Sequence, residues 1–372
     1  MFEAAIKLRE ERGADAVADL SLGNPCNDPP AEFYEALRAE AEGGPDRPHR
    51  YMQNPGYPDV REAVAAHLTQ RSEVGYTAAD ICMTTGAAGA INVLLRTLLD
   101  PGDEVVMCSP GFVEYPFYVE NFGGHSCIVP STPDFLPDVD RIADACNANT
   151  KAVILNAPNN PTGRIYPERT YRELGRALAA RSAALSRPIY LIFDDPYYEI
   201  YYGEQPPPEP AQFYDQVLYV TSFSKDLGLA GERIGYVAIH PDAVHREELS
   251  AAFAFSLRAL GQVNAPALLQ RATKALIGLS RDAVRDFYRP RRDRVVEALA
   301  AGGFETSPLE GAFYAFPKSP DADDLVFCRR MLEKGLVVVP GAAFGTAGHF
   351  RISYAVDDDV LERGLAILKA ES

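Results

Sequence analysis

Several features that would assign this sequence to another class of protein are absent from it. The six cysteines never stand in C-x-x-C spacing, which argues against a zinc site and against a disulfide framework. No stretch approaches the roughly 18 apolar residues of a membrane span, and the N-terminal segment MFEAAIKLREERG lacks the apolar core of a signal peptide. The sequence therefore predicts reduced thiols, no metal, no membrane association and a cytoplasmic location.

The common phosphate-binding loops and an excess of positive charge are missing as well. No G-x-G-x-x-G fingerprint and no Gly-Lys pair occurs, so neither a dinucleotide loop nor a P-loop is present. The 52 acidic residues outnumber the 36 basic ones, which gives a formal net charge of −16. A surface of that sign attracts neither nucleic acid nor an anionic membrane. Any anion must therefore be held by a local pocket.

What the sequence does contain is a series of short apolar runs that alternate with helical patterns. The runs are DEVVMCSP, KAVILNAP, RPIYLIFDD, QVLYVTSFS and RIGYVAIH, and one helical pattern covers residues 168–185. This alternation indicates a largely parallel sheet with helices on both faces. A helical stretch near 279–301, followed by the runs GLVVVPGAAFG and HFRISYAV, indicates a second, smaller domain, as expected for 372 residues. The stretch GEQPPPEP (203–210) predicts an exposed extended loop.

Ligands of parallel sheets bind at the carboxyl ends of the strands, and one such end carries an unusual lysine. In TSFSKDLGLAGERIGY (221–236), hydroxyl residues flank Lys225, and Arg233 follows eight positions later. An isolated loop lysine is usually a solvated surface residue. Here Ser222, Ser224 and Arg233 can together hold a phosphate dianion. Lys225 can then form a Schiff base with a carbonyl that this phosphate positions.

This segment resembles the cofactor-lysine motif of fold-type I pyridoxal-phosphate aminotransferases, the aspartate aminotransferase superfamily. NAPNNPTG (156–163) is similar to that family's N-x-P-x-N-P-T-G loop, which implies that Asn160 hydrogen-bonds the cofactor's O3′ and contacts the substrate. FDDPYYE (193–199) is similar to its D-x-x-Y motif, which implies Asp194 beside the ring nitrogen and Tyr197 beside O3′. A carboxylate beside that nitrogen keeps it protonated, so the ring can accept electrons. Taken alone, Asp194 reads equally well as a helix cap.

Two further motifs resemble the parts of the family site that hold the phosphate and the ring. TTGAAGAI (84–91) is similar to the loop whose backbone amides hold the phosphate at a helix N-terminus, which implies Ala87 and Ala88. Phe112, in SPGFVEYP, matches the aromatic residue that stacks on the ring. The structural alternatives are a close-packed helix start for the alanines and a core position for Phe112.

The resemblance also implies residues that bind the substrate and residues that act across a dimer. Gly23, in SLGNP, matches a loop that faces the substrate carboxylate, and Arg351, in FRISY, matches the clamp for the α-carboxylate. Tyr51 and Asn264 match positions that the family supplies to the partner subunit's site. The alternative for Arg351 is a salt bridge at a strand edge. We therefore expect a homodimer with shared active sites.

The fold and the reaction follow from the same resemblance. It implies an α/β fold with a large cofactor-binding domain (38–285), whose mostly parallel sheet is of the seven-stranded type and is sandwiched by helices. A smaller α+β domain would comprise residues 1–37 and 286–372. The implied enzyme is a transaminase that moves an amino group between an L-amino acid and a 2-oxo acid, with 2-oxoglutarate or pyruvate as one partner. Three alternatives stay open: a β-lyase of the same fold, a cofactor-sensing regulator, and a nucleotide-binding α/β enzyme.

Substrate choice depends on whether the site carries a cation for a second carboxylate. Some bacterial aspartate aminotransferases have a lysine at the position of Ala88, and others take an arginine from the partner subunit at the position of Ala259. Arg258 is the neighbour of Ala259, but the offset of one residue favours a surface or interface role for it. Without such a cation, aspartate loses the stabilisation that a charged hydrogen bond gives. We expect relaxed specificity in which neutral amino acids compete well.

Overall fold

The computed structural model describes residues 2–13, 16–43 and 49–371. The helices are α1 Phe2–Arg12, α2 Ala31–Ala41, α3 Pro58–Ser72, α4 Gly86–Leu98, α5 Tyr115–Glu120, α6 Val139–Ala145, α7 Glu168–Leu185, α8 Arg246–Ala259, α9 Ala267–Lys274, α10 Asp282–Ala301, α11 Asp324–Glu333 and α12 Asp358–Lys369. The strands are β1 Ala18–Asp19, β2 Ile81–Thr84, β3 Glu104–Ser109, β4 His125–Pro130, β5 Thr150–Asn156, β6 Tyr190–Asp194, β7 Val217–Ser222, β8 Gly235–Ile239, β9 Tyr314–Ala315, β10 Leu336–Val337, β11 Val339–Pro340 and β12 Phe350–Ser353. Among these helices, none combines the length and the apolar character needed to cross a membrane.

The main sheet has seven strands in the order β2-β8-β7-β6-β5-β3-β4. Its pairs are parallel except where β8 runs antiparallel to both β2 and β7. The five apolar runs correspond to β3, β5, β6, β7 and β8, and α7 has the predicted bounds, so the predicted α/β fold is confirmed. The edge strand β4 formed no apolar run because most of its side chains are exposed or half-buried.

Helices cover both faces of this sheet, so that one apolar core lies on each face. Along β6, Leu191 and Phe193 belong to one core, and Ile192 between them belongs to the other. This assignment follows from the two-residue period of a strand, and it requires apolar residues at every position. The unbroken run YLIF in β6 is therefore the expected signature of a strand that is buried on both faces.

A third core joins the two ends of the described chain. Strand β1 pairs in parallel with β10, and β11, β12 and β9 form a small antiparallel sheet. The buried residues of this core include Leu20 near the start of the chain and Leu368 near its end. Residues 197–202, just after β6, also pack into it and join it to the main sheet. The predicted domain boundaries near residues 38 and 285 stay a prediction.

The proline-rich stretch differs from its prediction in its second half. Residues 203–206 are exposed as expected, but Pro207, Glu209 and Pro210 are buried. Glu209 forms an ion pair with Arg71, at the end of α3, and this pair holds residues 207–210 against that helix. The prediction of an exposed loop is therefore wrong for residues 207–210.

Candidate active site

The carboxyl ends of β5, β6 and β7 open into a cavity of about 650 Å³. Asn156 and Asp194, the last residues of β5 and β6, lie side by side in the strand register. The side-chain amide of Asn156 donates to the backbone oxygen of Asp194 over 2.8 Å, and its Oδ1 accepts from the backbone N–H of Asn160 over 2.7 Å. Twelve of the residues predicted from the sequence line this cavity: Gly23, Ala87, Ala88, Phe112, Asn160, Asp194, Tyr197, Ser222, Ser224, Lys225, Arg233 and Arg351.

One end of the cavity has the features of a site for an anion. Helix α4 begins at Gly86, whose φ of +78° suits glycine, and a Cβ there would lie 2.9 Å from the Arg233 guanidinium. Glycine therefore lets Arg233 approach the start of the helix, beside Ala87 and Ala88 in its first turn. Helix N-termini favour negative charge because their amide groups point outwards without partners. This end of the cavity can bind a phosphate dianion.

Asp194 provides a buried carboxylate with one free oxygen. Its Oδ2 accepts a hydrogen bond of 2.6 Å from the Tyr115 hydroxyl, whereas its Oδ1 is buried and has no hydrogen-bond partner in the described part of the chain. Burial raises the pKa of this carboxyl from an ordinary 3.8 to about 6, and the Tyr115 hydrogen bond and the charge of Lys225 oppose that rise. A cationic N–H donor near Oδ1 would satisfy both the free oxygen and the buried charge.

Lys225 is held where its amine titrates far below the usual range. Its Nζ donates to the Gly23 carbonyl oxygen over 2.8 Å. Burial, together with the charges of Arg233 and Arg351, lowers the pKa of the amine to about 8, and the charge of Asp194 opposes this lowering. Since the unprotonated amine is the nucleophile, this environment activates the lysine near neutral pH.

Arg351 carries a buried positive charge whose hydrogen-bond acceptors, among the residues that the structure describes, are neutral. Its guanidinium donates to Asn160 Oδ1 over 2.9 Å and to the Ser21 carbonyl oxygen, and its Nε has no hydrogen-bond partner. The guanidinium carbon lies 4.7 Å from the ring centre of Tyr314 and 4.8 Å from that of Phe344. Burial lowers its pKa. A substrate carboxylate would supply the missing counter-charge.

Comparison with known proteins agrees with this geometry. Residues 15–368 match the family model described as aminotransferase class I and II. A probable aspartate/prephenate aminotransferase of Thermus aquaticus is 36% identical, over 97% of this chain and 92% of that protein. The crystal structure of an amino transferase from Eubacterium rectale superposes with a TM-score of 0.95 at 34% identity, over 100% of this chain and 93% of that one. The chain belongs to the class I and II aminotransferases.

This aminotransferase uses pyridoxal 5′-phosphate and transfers an amino group between an amino acid and a 2-oxo acid, as the sequence predicted. The cavity fits that cofactor in three respects. A free carboxylate oxygen of Asp194 suits a ring nitrogen, the low pKa of Lys225 suits a carbonyl partner, and the start of α4 with Arg233 suits the phosphate. The alternative of a nucleotide-binding enzyme is wrong.

Two of the predicted residues do not line the cavity of the aminotransferase. Tyr51 is 88% exposed, and the Asn264 side chain donates to the neighbouring Ala265 carbonyl oxygen. Their segments are neighbours, because Asn54 donates to the Val263 carbonyl oxygen over 2.7 Å. Both residues were predicted to serve the partner subunit's site, and that role stays a prediction.

Sequence reasoning missed three residues that shape the site. Asn156 aligns the Asn160 loop, Tyr115 holds Asp194, and Tyr314 contacts the hydroxyl of Tyr197 over 2.9 Å. Asn156 and Tyr115 lie in segments that the motifs cover, and Tyr115 follows Phe112 by three residues, whereas Tyr314 lies outside those segments. Asn156 is the first position of the N-x-P-x-N-P-T-G motif, but no motif position marked Tyr115 or Tyr314, because their roles depend on contacts between distant segments.

Proposed function

We propose that this aminotransferase takes neutral amino acids as donors and passes the amino group to 2-oxoglutarate or pyruvate. The observation that carries the proposal is the set of cations in the cavity. Among the described residues that line it, the lysines and arginines are Lys225, Arg233 and Arg351. Each has a task common to all substrates, so none remains to bind a second carboxylate.

The rest of the cavity wall supports the same choice of substrate. One of its polar groups is the Glu114 carboxylate, which accepts a hydrogen bond from the Tyr118 hydroxyl. A negative charge there disfavours a substrate with a second carboxylate. Ala88 stands where a lysine would attract one. Much of the remaining wall is apolar and is formed by Leu22, Ile91, Phe112, Val113, Val339 and Phe344.

Different residues of the chain bind the substrate, move the proton and hold the cofactor during amino transfer. Arg351, Asn160 and the Gly23 loop hold the α-carboxylate, which fixes the substrate's orientation. Lys225 Nζ would accept the proton from the substrate Cα and deliver it to C4′ of the cofactor, acting first as general base and then as general acid with a pKa near the working pH. Asp194 Oδ1, which is buried without a hydrogen-bond partner among the described residues, would stabilise a positive charge at the cofactor's ring nitrogen. When bound, pyridoxal phosphate supplies an electron sink for the substrate.

The remaining side chains bind the cofactor without taking part in proton transfer. Ser222, Ser224 and Arg233, together with the amides of Ala87 and Ala88, hold the phosphate. Phe112 packs on the ring face, and Tyr197 with Asn160 hydrogen-bonds the ring oxygen. Borohydride treatment of the holoenzyme should attach the cofactor to the peptide that contains Lys225. Attachment to another lysine would contradict this assignment.

A homodimer with shared sites is part of the proposal. It is supported by the exposed Tyr51 ring and by the hydrogen bond that joins the segments of Tyr51 and Asn264. Subunits with Lys225→Ala and subunits with Tyr51→Phe should regain part of the activity when mixed. Full activity of a monomer at nanomolar concentration would contradict a shared site. A cytoplasmic location is also proposed, which the free state of all six cysteines supports.

Aspartate is a second candidate donor, because relatives bear the name aspartate/prephenate aminotransferase. The two candidates are separated by kcat/KM for alanine, phenylalanine and leucine against aspartate, with 2-oxoglutarate as acceptor. We expect neutral donors to equal or exceed aspartate, and Ala88→Lys to raise the value for aspartate alone. A preference for aspartate of a hundredfold or more, abolished by Arg258→Ala, would contradict the proposal. Release of pyruvate and ammonia without an acceptor would indicate a β-lyase.

A further inference from the structure

The third core, which joins the two ends of the described chain, contributes one side chain to the active site. Tyr314 lies on β9, which pairs with the strand β12 that carries Arg351. The Tyr314 side chain lines the site cavity, and the residue is only 1% exposed. Its hydroxyl lies 2.9 Å from that of Tyr197, and either oxygen can be the donor. The pair thus joins the small sheet to the chain that follows β6.

Tyr314 also touches the loop that carries Gly23. A Cβ at position 23 would lie 1.9 Å from the Tyr314 hydroxyl oxygen, so only glycine permits this approach. The carbonyl oxygen of Gly23 in turn accepts the hydrogen bond from Lys225. The Tyr314 hydroxyl therefore lies between the cofactor side of the cavity, at Tyr197, and the loop predicted to face the substrate carboxylate.

The number of protons that the two hydroxyls can donate limits the hydrogen bonds that the tyrosine pair can form with a ligand. A phenol has one proton to donate, and its oxygen can also accept. In the described structure, the hydroxyls of Tyr197 and Tyr314 have hydrogen bonds only to each other. If Tyr314 donates to Tyr197, the proton of Tyr197 is left for a ligand in the cavity. If the direction is reversed, Tyr197 can only accept, and it cannot stabilise a negative oxygen.

The surrounding charges favour Tyr314 as the donor of the pair. The guanidinium of Arg351 lies 4.7 Å from the centre of its ring. Burial raises the pKa of both tyrosines, and the charge of Arg351 opposes the rise at both. The hydrogen bond between them also opposes the rise at Tyr314 but adds to the rise at Tyr197. The other charges near the pair are Asp194, which raises the pKa of Tyr197, and Lys225, whose Nζ lies 5.9 Å from the Tyr197 ring centre.

We propose that Tyr314 is a positioning residue that donates its proton to Tyr197 and thereby directs the proton of Tyr197 towards the ring oxygen of the bound cofactor. The inference rests on the proposed role of Tyr197. A hydroxyl that accepts a hydrogen bond becomes a stronger donor, by about 10–30% per bond. Tyr314 thus acts through Tyr197 and makes no bond to the cofactor itself.

The pH dependence of the cofactor's absorbance in the holoenzyme tests this inference. Losing a donor to the ring oxygen disfavours its negative form, so the midpoint of the absorbance change moves to higher pH. For Tyr197→Phe we expect a rise of about one to two pH units. For Tyr314→Phe we expect a rise of roughly a few tenths of a unit, because only the strengthening of one bond is lost. In the Tyr197→Phe background, Tyr314→Phe should add nothing.

A matched control separates this effect from the loss of a buried hydroxyl. Tyr354 lies in the same core, outside the cavity, and its hydroxyl bonds the Tyr202 hydroxyl and the Ala312 carbonyl oxygen. Tyr354→Phe should leave the midpoint unchanged. A shift for Tyr197→Phe but none for Tyr314→Phe, or additive shifts in the double variant, overturns the inference alone. No shift for Tyr197→Phe overturns both the inference and the proposed role of Tyr197.

Discussion

Two arginines of this aminotransferase have buried guanidinium groups, and they differ in what neutralises the charge. Arg71 forms an ion pair with Glu209, and its guanidinium carbon lies 3.9 Å from the centre of the Tyr198 ring. Arg351 is 8% exposed, and its hydrogen bonds go to the neutral oxygens of Asn160 and Ser21. Within residues 2–13, 16–43 and 49–371, no carboxylate forms an ion pair with Arg351.

Burial affects the two guanidinium groups in the same direction, but the outcomes are opposite. It lowers the pKa of both, yet at Arg71 the charge of Glu209 and the nearby tyrosines reverse the effect and raise the pKa. At Arg351 the lowering prevails. A buried charge with a permanent partner holds the fold together, whereas one without a partner costs folding energy until a ligand arrives. A buried charge without a permanent partner, as at Arg351, therefore indicates the binding site.

The largest effect is expected where the permanent pair is broken. Arg71→Met leaves the Glu209 carboxylate buried without a partner and should lower the free energy of unfolding by about 3–5 kcal/mol. Chemical denaturation of the purified variant measures this loss. Arg71→Met combined with Glu209→Leu should recover most of the stability, since an apolar pair of similar size replaces the ions. A stable single variant would mean that Arg71 also lacks an effective counter-ion.

A smaller free-energy change is expected at Arg351, and it should appear in catalysis rather than in stability. Arg351→Met removes the bidentate partner of the α-carboxylate, so kcat/KM should fall about a hundredfold for every donor. The melting temperature of the cofactor-free variant should stay level or rise, because an unpaired buried charge is lost. Arg351→Lys should keep part of the activity, since it retains the charge without the fork. A strongly destabilised Arg351→Met protein would remove the contrast with Arg71.

The smallest effect concerns the rate at which cofactor-free protein binds pyridoxal phosphate. Because the Lys225 amine has its pKa lowered to about 8, its reactive neutral form increases as pH rises. Between pH 7 and pH 9 the rate should increase about tenfold and then level off. Stopped-flow absorbance measures it, with Lys225→Ala as the control. A rate that is still climbing steeply at pH 10 would indicate an ordinary lysine.

Much of the site could be predicted because it lies in short motifs at strand ends. Lys225, Asp194 and Asn160 each follow an apolar run, and the sheet brings such ends together. Tyr314 could not be predicted this way, because it contacts Tyr197 from β9, a strand of the third core rather than of the main sheet. Glu209 was missed for a similar reason, since its buried partner lies on α3, far away in the sequence.

In the fold, as in the site, some features can be recognised from one segment of the sequence, whereas others depend on contacts between segments that are far apart in it. The run in β6 is apolar at successive positions because both of its faces are buried, so its strand could be recognised from the sequence alone. The antiparallel direction of β8 could not, because an apolar run reads alike in either direction. Strand direction is set by the connections and by pairing with β2 and β7, which no single segment encodes.

The central claim is that the charges of the site cost folding energy until their ligands bind, and Asp194 tests it most directly. A carboxyl whose pKa rises from 3.8 to about 6 on folding favours the folded state below pH 3.8 and loses that contribution as pH rises through 6. In cofactor-free wild-type protein this loss of stability amounts to roughly 3 kcal/mol over the whole titration. Asp194→Asn has no titrating carboxyl at this position and does not undergo the loss. Asp286→Asn, an exposed change on α10, serves as the control.

The measurement is the free energy of unfolding of cofactor-free wild type, Asp194→Asn and Asp286→Asn between pH 4 and pH 8. The stability of Asp194→Asn relative to wild type should increase by roughly 2.4 kcal/mol across that range, because part of the full loss has already occurred at pH 4, while the control stays parallel to wild type. A difference between Asp194→Asn and wild type that does not change with pH, or that falls as pH rises, would contradict the account.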